Sequence, residues 1–241
     1  MRQLVARLET LWPPFESRIC VDTAPLLERA YAQAAGLGWI GKNTCLINQA
    51  DGSWFFLGEV LISLEILPDS PPPDRCGTCR RCIDACPTDA LIPGPGAPGP
   101  AWQLDGRACI STLTIETKGS IPEARREGVG LHLFGCDICQ EVCPWNSRSV
   151  PVDVPGFFPM NDRWDLDELS AMSRDEFRER FRKTPVWRSK WQGLMRNTAV
   201  AIGNSGDARH KPALERLAAC GDEVVEEHAR WALGRLEGAG K

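Results

Sequence analysis

Little in this chain points to the common ligand classes. No apolar run among its 241 residues reaches the roughly 18–20 needed to cross a bilayer, which excludes a helical membrane span. Lysine and arginine total 28 against 32 acids, a formal net charge of −4, so no overall basic field advertises nucleic acid. The opening MRQLVARLET lacks the apolar core of a secretory signal, and no twin-arginine motif precedes it. No G-x-G-x-x-G follows a strand-like run and no P-loop is present, which removes the usual nicotinamide and flavin signatures. The three histidines, His132, His210 and His228, are too scattered to form a metal set. Tyrosine occurs once against nine tryptophans, and tryptophans scattered in this way read as core rather than site.

Cysteine is the exception. Eight of the eleven lie between Cys76 and Cys143, seven of them in the runs Cys76-x2-Cys79-x2-Cys82-x3-Cys86-Pro87 and Cys136-x2-Cys139-x3-Cys143-Pro144. The spacing resembles a bacterial ferredoxin module. A compact C-x2-C-x2-C loop supplies three thiolates to a [4Fe–4S] cube, and the cysteine before proline ligates the other cluster. The expected sets are therefore Cys76, Cys79, Cys82 and Cys143 for one cluster, with Cys86, Cys136 and Cys139 for the second. A regular second run would place the missing ligand at position 133, which is Leu133; Cys109 is the nearby thiol left to complete the set. Zinc sites usually use two C-x2-C pairs instead, and a disulfide framework belongs to short secreted domains. Thiols poised for clusters fit a reducing cytoplasm, the expected compartment. Cys20, Cys45 and Cys220 are left over and read as buried structural thiols.

Three domains are expected: 1–67, 68–146 and 147–241. In the first, Asp22–Ala35 reads as a helix capped by Asp22 or Thr23, with Pro25 in its first turn and Gly36 as its stop. Leu26, Leu27, Ala30, Tyr31 and Ala34 give it an apolar face. Gly36, Gly38 and Gly41 form a tight loop where backbone could approach a ligand. Asn43–Asn48 and Trp54–Ile66 read as strands, the second buried on both sides. Together they make half of an α/β layer. The proline-rich Pro68–Asp74 leads into the cysteine region, where Pro93–Pro100 reads as an irregular surface loop. A second linker, Ser147–Pro159, leads to a helical tail. There Val200-Ala201-Ile202-Gly203 recurs as Trp231-Ala232-Leu233-Gly234, 31 residues later, with a short helix at Pro212–Ala219 between, which suggests a HEAT-type helical repeat. Arg174–Arg196 concentrates Arg and Lys around Trp187 and Trp191. Such a stretch could track a phosphate backbone with rings to stack; the plainer reading, a solvated helix face with core tryptophans, is slightly favoured.

The blocks VDTAPLLERAYAQAAGLGWIGKNTCLIN, SWFFLGEVL, CGTCRRCIDACPTDAL, CISTLTIETKGSIPE, FGCDICQEVCPWN and RNTAVAIGN, in this order, resemble epoxyqueuosine reductase over nearly the whole chain. The resemblance implies a cobalamin-dependent oxidoreductase that removes the epoxide oxygen of epoxyqueuosine as water, making queuosine at the wobble position of tRNAs with a GUN anticodon. It implies a multidomain α+β fold: a partial α/β corrinoid-binding domain, a two-[4Fe–4S] ferredoxin-like domain and a C-terminal α-helical HEAT-like repeat. The cofactors implied are the two clusters and cobalamin. Asp22 matches the acid that protonates substrate; a carboxylate does so near neutral pH only where burial favours its protonated form. On the residues alone its role is a helix N-cap. Leu46, Asn48 and Leu57 match the corrinoid wall, with Ser111 and Asp137 touching the cofactor from the cluster domain. Thr117, Lys118, Gly119 and Arg126 match the loop that grips tRNA, and the basic stretch and tail would hold the anticodon arm.

Thr112 stands where the family usually has tyrosine, and Pro93–Pro100 lengthens the loop before Cys109. Family members carry a further amino-terminal segment with part of the corrinoid pocket, so the chain is expected to be truncated and to hold cobalamin poorly. Two other readings compete. A corrinoid reductive dehalogenase usually has an export signal and lacks the tail. A ferredoxin-like electron carrier would make 1–67 and 160–241 dispensable. The physiological low-potential electron donor is not legible.

Overall fold

In the computed structural model, residues 1–95, 102–149 and 164–238 are described, and they form a helix-rich α+β fold. The elements run α1 (Arg2–Leu11), β1 (Ser17–Cys20), α2 (Glu28–Ala34), β2 (Trp39–Ile40), β3 (Leu46–Ile47), β4 (Glu59–Ile62), α3 (Arg81–Asp84), β5 (Leu91–Pro93) and β6 (Trp102–Leu104). There follow α4 (Ile110–Ile115), α5 (Glu123–Val129), α6 (Ile138–Glu141), α7 (Leu166–Ala171), α8 (Arg174–Phe181), α9 (Lys190–Ser205), α10 (Lys211–Ala218) and α11 (Glu223–Gly238). Strands pair in twos: β1 with β4, β2 with β3, β5 with β6. Most of Pro93–Pro100 and of Ser147–Pro159, the two expected loops, lies outside the described residues. No helix among the described residues is long and apolar enough to cross a membrane.

The chain divides into two compact units. Met1–Ala85, Pro93–Gln103 and Ile138–Pro151 form the first; Cys86–Ile92, Leu104–Asp137 and Val152–Lys241 form the second.

In the first unit the expected elements shrink. The helix begins at Glu28, not Asp22, and its N-cap Leu27 has no side-chain cap. Asp22 instead lies in the left-handed region at φ 57°, outside the extended backbone that an N-cap uses, and its N–H donates to Glu28 Oε1 at 3.0 Å. The apolar face stays open, with Leu27 75% exposed. Strand Asn43–Asn48 reduces to β3, because Thr44 takes φ 62° and Asn43 Oδ1 accepts the Cys45 N–H, turning the chain. Trp54–Ile66 reduces to β4, antiparallel to β1 with Ser17 opposite Ile62 and Cys20 opposite Glu59. Among the described residues the two pair only with each other, so β4 is not buried on both sides, and Phe56 is 86% exposed. Gly38 and Gly41 pack closely on Ile47: a Cβ on Gly38 would lie 2.2 Å from Ile47 O, and one on Gly41 2.5 Å from Ile47 Cδ1.

The second unit owes its core to the tail. Leu194, Met195, Ala199 and Ile202 of α9 meet Leu214 and Leu217 of α10 and Val225, Ala229 and Ala232 of α11. The two copies of the short repeat face one another, since a Cβ on Gly203 would sit 2.8 Å from Ala232 Cβ. Polar groups buried on α9 and α11 tie this core to the segment between the cysteine runs. Asn197 Nδ2 donates to Thr114 O and Leu133 O, both at 2.8 Å, and Asn204 Nδ2 donates to Arg126 O at 2.8 Å and Gly130 O at 3.0 Å. His228 is fully buried; its Nε2 accepts the Ile121 N–H at 3.0 Å while Nδ1–H donates to Val224 O at 2.7 Å.

That arrangement needs a neutral ring, and burial, opposed in part by the Val224 carbonyl, lowers the His228 pKa from 6.5 to about 4. Unfolding therefore takes up a proton. Stability is full above pH 6.5 and falls as pH drops toward about 4, by roughly 3 kcal/mol in all. We expect denaturant midpoints to decline between pH 6.5 and 5 and to decline less in His228→Gln, whose amide oxygen can accept from Ile121 without titrating. Equal slopes in both proteins would refute this account.

Candidate iron–sulfur site

Cys76, Cys79, Cys82 and Cys143, the four thiols expected to hold one cluster, line a single cavity of about 270 Å³ in the first unit. Local structure explains how three come from one loop. The Cys76 N–H donates to Asp74 Oδ1 at 2.7 Å, the Cys79 N–H to Cys76 O at 3.1 Å, and Gly77 at φ 50° turns the chain between them. Cys82 follows on α3. Cys143 reaches the same cavity because α6 packs on α3 and the next turn is pinned. Asn146, nearly buried, accepts the Ser53 N–H at 2.7 Å and donates to Gln140 O at 2.8 Å and Ser53 Oγ at 2.9 Å. Gly52 is required there, since a Cβ would lie 2.2 Å from Asn146 Oδ1. The Trp145 ring meets Trp39 edge-on at 5.0 Å.

The turn joining β2 to β3 clamps both cysteine runs. Lys42 Nζ donates to Gly77 O at 2.6 Å and Cys79 O at 2.9 Å, and Asn43 Nδ2 donates to Cys139 O at 3.3 Å.

The cavity is hostile to bare thiolates. Burial, then repulsion by Cys139, Cys76, Cys143 and Cys79, pushes the Cys82 thiol up to about 11. Cys76 and Cys143 are raised too, burial first. A charged iron core reverses that balance, because it supplies the positive charge that stabilises metal-bound thiolate. Among the described residues, no three Cys, His, Asp or Glu side chains close on a point as for a single ion. The sulfurs ring a volume instead, as ligands to separate corners of a cube do. The residues present fit a [4Fe–4S] cluster.

Of the second expected set, Cys86, Cys109 and Cys136 lie in the second unit and Cys139 in the first. Cys86 Sγ accepts the Ala90 N–H at 3.3 Å, Cys109 occupies the N-cap of α4, and Cys136 packs against the Ile110, Leu113, Ile121 and Val129 cluster. Leu133 packs against the tail core. Cys20 is buried, whereas Cys45 and Cys220 are half-buried.

The residues expected to meet a corrinoid are placed unevenly. Asp22 is exposed and Leu57 half-buried. The two segments run side by side, since a Cβ on Gly58 would meet Val21 Cγ2 at 3.4 Å. Trp54, Phe55 and Phe56 leave apolar surface open next to Leu57, the kind of surface a large apolar ring covers. Leu46 is buried, and the Asn48 side chain is engaged in its own turn, donating to Leu37 O at 2.7 Å and accepting the Ala50 N–H at 2.8 Å. Ser111 is half-buried on α4 and Asp137 exposed.

In the expected tRNA loop, Thr117 O and Gly119 O accept from Arg196 at 2.9 and 2.6 Å, and Lys118 between them is left exposed. Arg196 itself is 1% exposed, also donates to Leu113 O at 2.7 Å, and is lowered by burial to about 10. Sequence reasoning counted it with the surface basic residues; the structure makes it the internal brace of this loop. Arg126 is likewise not on the surface. It is buried, donates to Ile121 O at 2.9 Å and is paired with Glu227, so its guanidinium braces the protein here rather than facing a phosphate. The tryptophans of the basic stretch follow the plainer reading. Trp191 Nε1–H donates to Met172 O at 2.7 Å under the Arg174 guanidinium, and Trp187 stacks on Phe177.

Residues 75–146 match the 4Fe-4S double cluster binding domain. The epoxyqueuosine reductase of Xanthomonas campestris is 45% identical over 238 residues, which is 98% of this chain and 65% of that protein. This chain is a homologue of the epoxyqueuosine reductases. A crystal structure of an epoxyqueuosine reductase with an epoxyqueuosine-modified tRNA-Tyr stem loop superposes with a TM-score of 0.85 at 33% identity, covering 98% of this chain and 61% of that one. The Bacillus subtilis reductase, with a catalytic aspartate loop swung out of the active site, gives 0.82 at 31% identity and the same coverage. The chain thus spans just under two thirds of the relatives it matches.

Because buried thiols must lose protons to bind iron, metal uptake at Cys76, Cys79, Cys82 and Cys143 should release protons and strengthen as pH rises from 7 to 9. Anaerobic reconstitution followed by iron counting and pH-stat titration measures both. Uptake that is flat with pH and releases no protons would contradict the site chemistry.

Proposed function

We propose that the protein carrying this sequence is an oxidoreductase that reduces epoxyqueuosine to queuosine in tRNA. The reaction adds two electrons and two protons, breaks both C–O bonds of the epoxide and releases water, leaving an alkene. The observation that carries the reading is the cavity walled by four cysteines within a chain 45% identical to a reductase of that name. We assign one cluster to Cys76, Cys79, Cys82 and Cys143, and the other, from spacing, to Cys86, Cys109, Cys136 and Cys139. Cobalamin, when bound, would supply the low-valent cobalt that the epoxide reduction needs.

The chain's own residues then have separate tasks. The cysteine loops hold the electron relay, and Lys42, Asn43 and Asn146 keep those loops in place. Asp22 would deliver a proton to the departing oxygen. Lys118 would meet an anticodon-arm phosphate, with Thr117 and Gly119 shaping the loop through their backbone. We assign 1–67 to a partial α/β corrinoid domain, 68–146 to the two-cluster module and 147–241 to a HEAT-like region that holds tRNA with a GUN anticodon, all in the cytoplasm.

Turnover of an epoxyqueuosine stem loop, with cobalamin and a low-potential reductant, tests the reading. Asp22→Asn should lower turnover by about 10²–10⁴ while iron content stays unchanged. A variant as fast as the parent would remove Asp22 from the reaction, and no turnover by the parent would remove the function. Lys118→Ala should weaken stem-loop binding and reduce its salt dependence by about one phosphate contact. An unchanged salt slope would place the RNA elsewhere.

A further inference from the structure

Four thiolates do not by themselves set the reduction potential of a cube; hydrogen bonds to sulfur, local charge and solvent exposure move it widely. The β2–β3 hairpin brings donors and positive charge to one wall of the cysteine cavity. Trp39 is 1% exposed, and its Nε1–H has no hydrogen-bond partner among the described residues. That N–H and the main-chain N–H of Lys42 nevertheless both lie close to the Cys76 sulfur. Buried donors rarely stay unpaired. A protonated thiol is a weak acceptor and an iron-bound thiolate a strong one, so this donor suits the loaded site. Three residues on, the Lys42 ammonium rests on the Gly77 and Cys79 carbonyls, placing a full positive charge on the loop that carries Cys76 and Cys79.

We propose that Trp39 and Lys42 set the potential of the cluster held by Cys76, Cys79, Cys82 and Cys143, raising it above the value the four thiolates alone would give. Reduction adds one electron and one unit of negative charge to the cube. A fixed ammonium and inward N–H dipoles stabilise that added charge more than the oxidised state. The two are positioning residues rather than ligands, and the inference rests on the cluster assignment made above. The same geometry gives Asn43 a different task, since it reaches the Cys139 carbonyl and carries no charge.

The test is a potentiometric titration of the anaerobically reconstituted protein, followed by EPR, with dithionite as reductant. Trp39→Phe keeps a ring against Trp145 and removes the N–H. Lys42→Met removes the charge and keeps an unbranched stem. Variant protein loaded to the parent's iron content should show one of two midpoints moved to more negative potential. The expected effect is about tenfold in the reduction equilibrium, or about 59 mV for a one-electron couple, with the other midpoint unmoved. Unmoved midpoints, or a positive shift, in fully loaded variants overturn the inference and leave the cluster assignment standing. A parent that takes up fewer than two cubes fails at the assignment and carries the inference with it. Should Trp39→Phe not fold, Lys42→Met decides alone.

Discussion

Four sulfurs line one cavity, and three of them, Cys76, Cys82 and Cys143, resist ionisation chiefly through burial; this is the constraint on which the first unit depends. Left to themselves they stay protonated and inert, and their mutual repulsion grows with each proton lost. Only a compact polycation reverses the sign. The surrounding contacts make sense as devices that hold negative charge together: the Lys42 amide and the Trp39 indole N–H close to Cys76, an ammonium on its loop, and an asparagine fixing the turn after Cys143. Such a site is poorly organised by hydrophobic packing alone, because α3 and α6 are each four residues long and carry no buried residue. Polar clamps supply the rigidity that long helices would otherwise give.

The second unit solves a different problem. The segment between the cysteine runs has short helices and many free carbonyls, and its order comes from the tail. Arg196 gathers three of those carbonyls, Asn197 and Asn204 gather four more, and His228 accepts the Ile121 amide. Leaving such groups unpaired inside the protein would cost about 1–3 kcal/mol each. The helical tail is therefore the scaffold of the Thr117–Ile121 loop as well as a surface of its own, so changes in the tail core should reach that loop without touching a ligand.

What was legible in the sequence follows from how local each signal is. Cysteine spacing reports ligand geometry directly, and the amphipathic periods of α9, α10 and α11 report a helical core. The glycines of Gly38-Trp39-Ile40-Gly41 were seen as a close approach, but toward which partner only the fold could say, and the partner is Ile47. Signals failed where tertiary pairing overrides propensity. Trp54–Ile66 has the composition of a buried strand, yet finds one short partner and stays open. Asp22 has the sequence context of a helix cap, yet its backbone is left-handed. Arg126 and Arg196 carry charge and so read as surface, although burial with many carbonyl partners satisfies a guanidinium well.

One short hairpin links these findings. Trp39 and Lys42 on its first half address the Cys76 loop, Asn43 at its tip holds the Cys139 carbonyl, and its second half carries Leu46 and Asn48, the positions expected to back a corrinoid. The hairpin thus ties the Cys76 loop and the Cys139 carbonyl to one short element. Its close pairing depends on glycine: a Cβ at Gly38 would meet the Ile47 carbonyl at 2.2 Å and force the two strands apart. Displacing either strand would move Trp39 and the buried Leu46 together, because Trp39 pairs with Ile47 and Ile40 with Leu46.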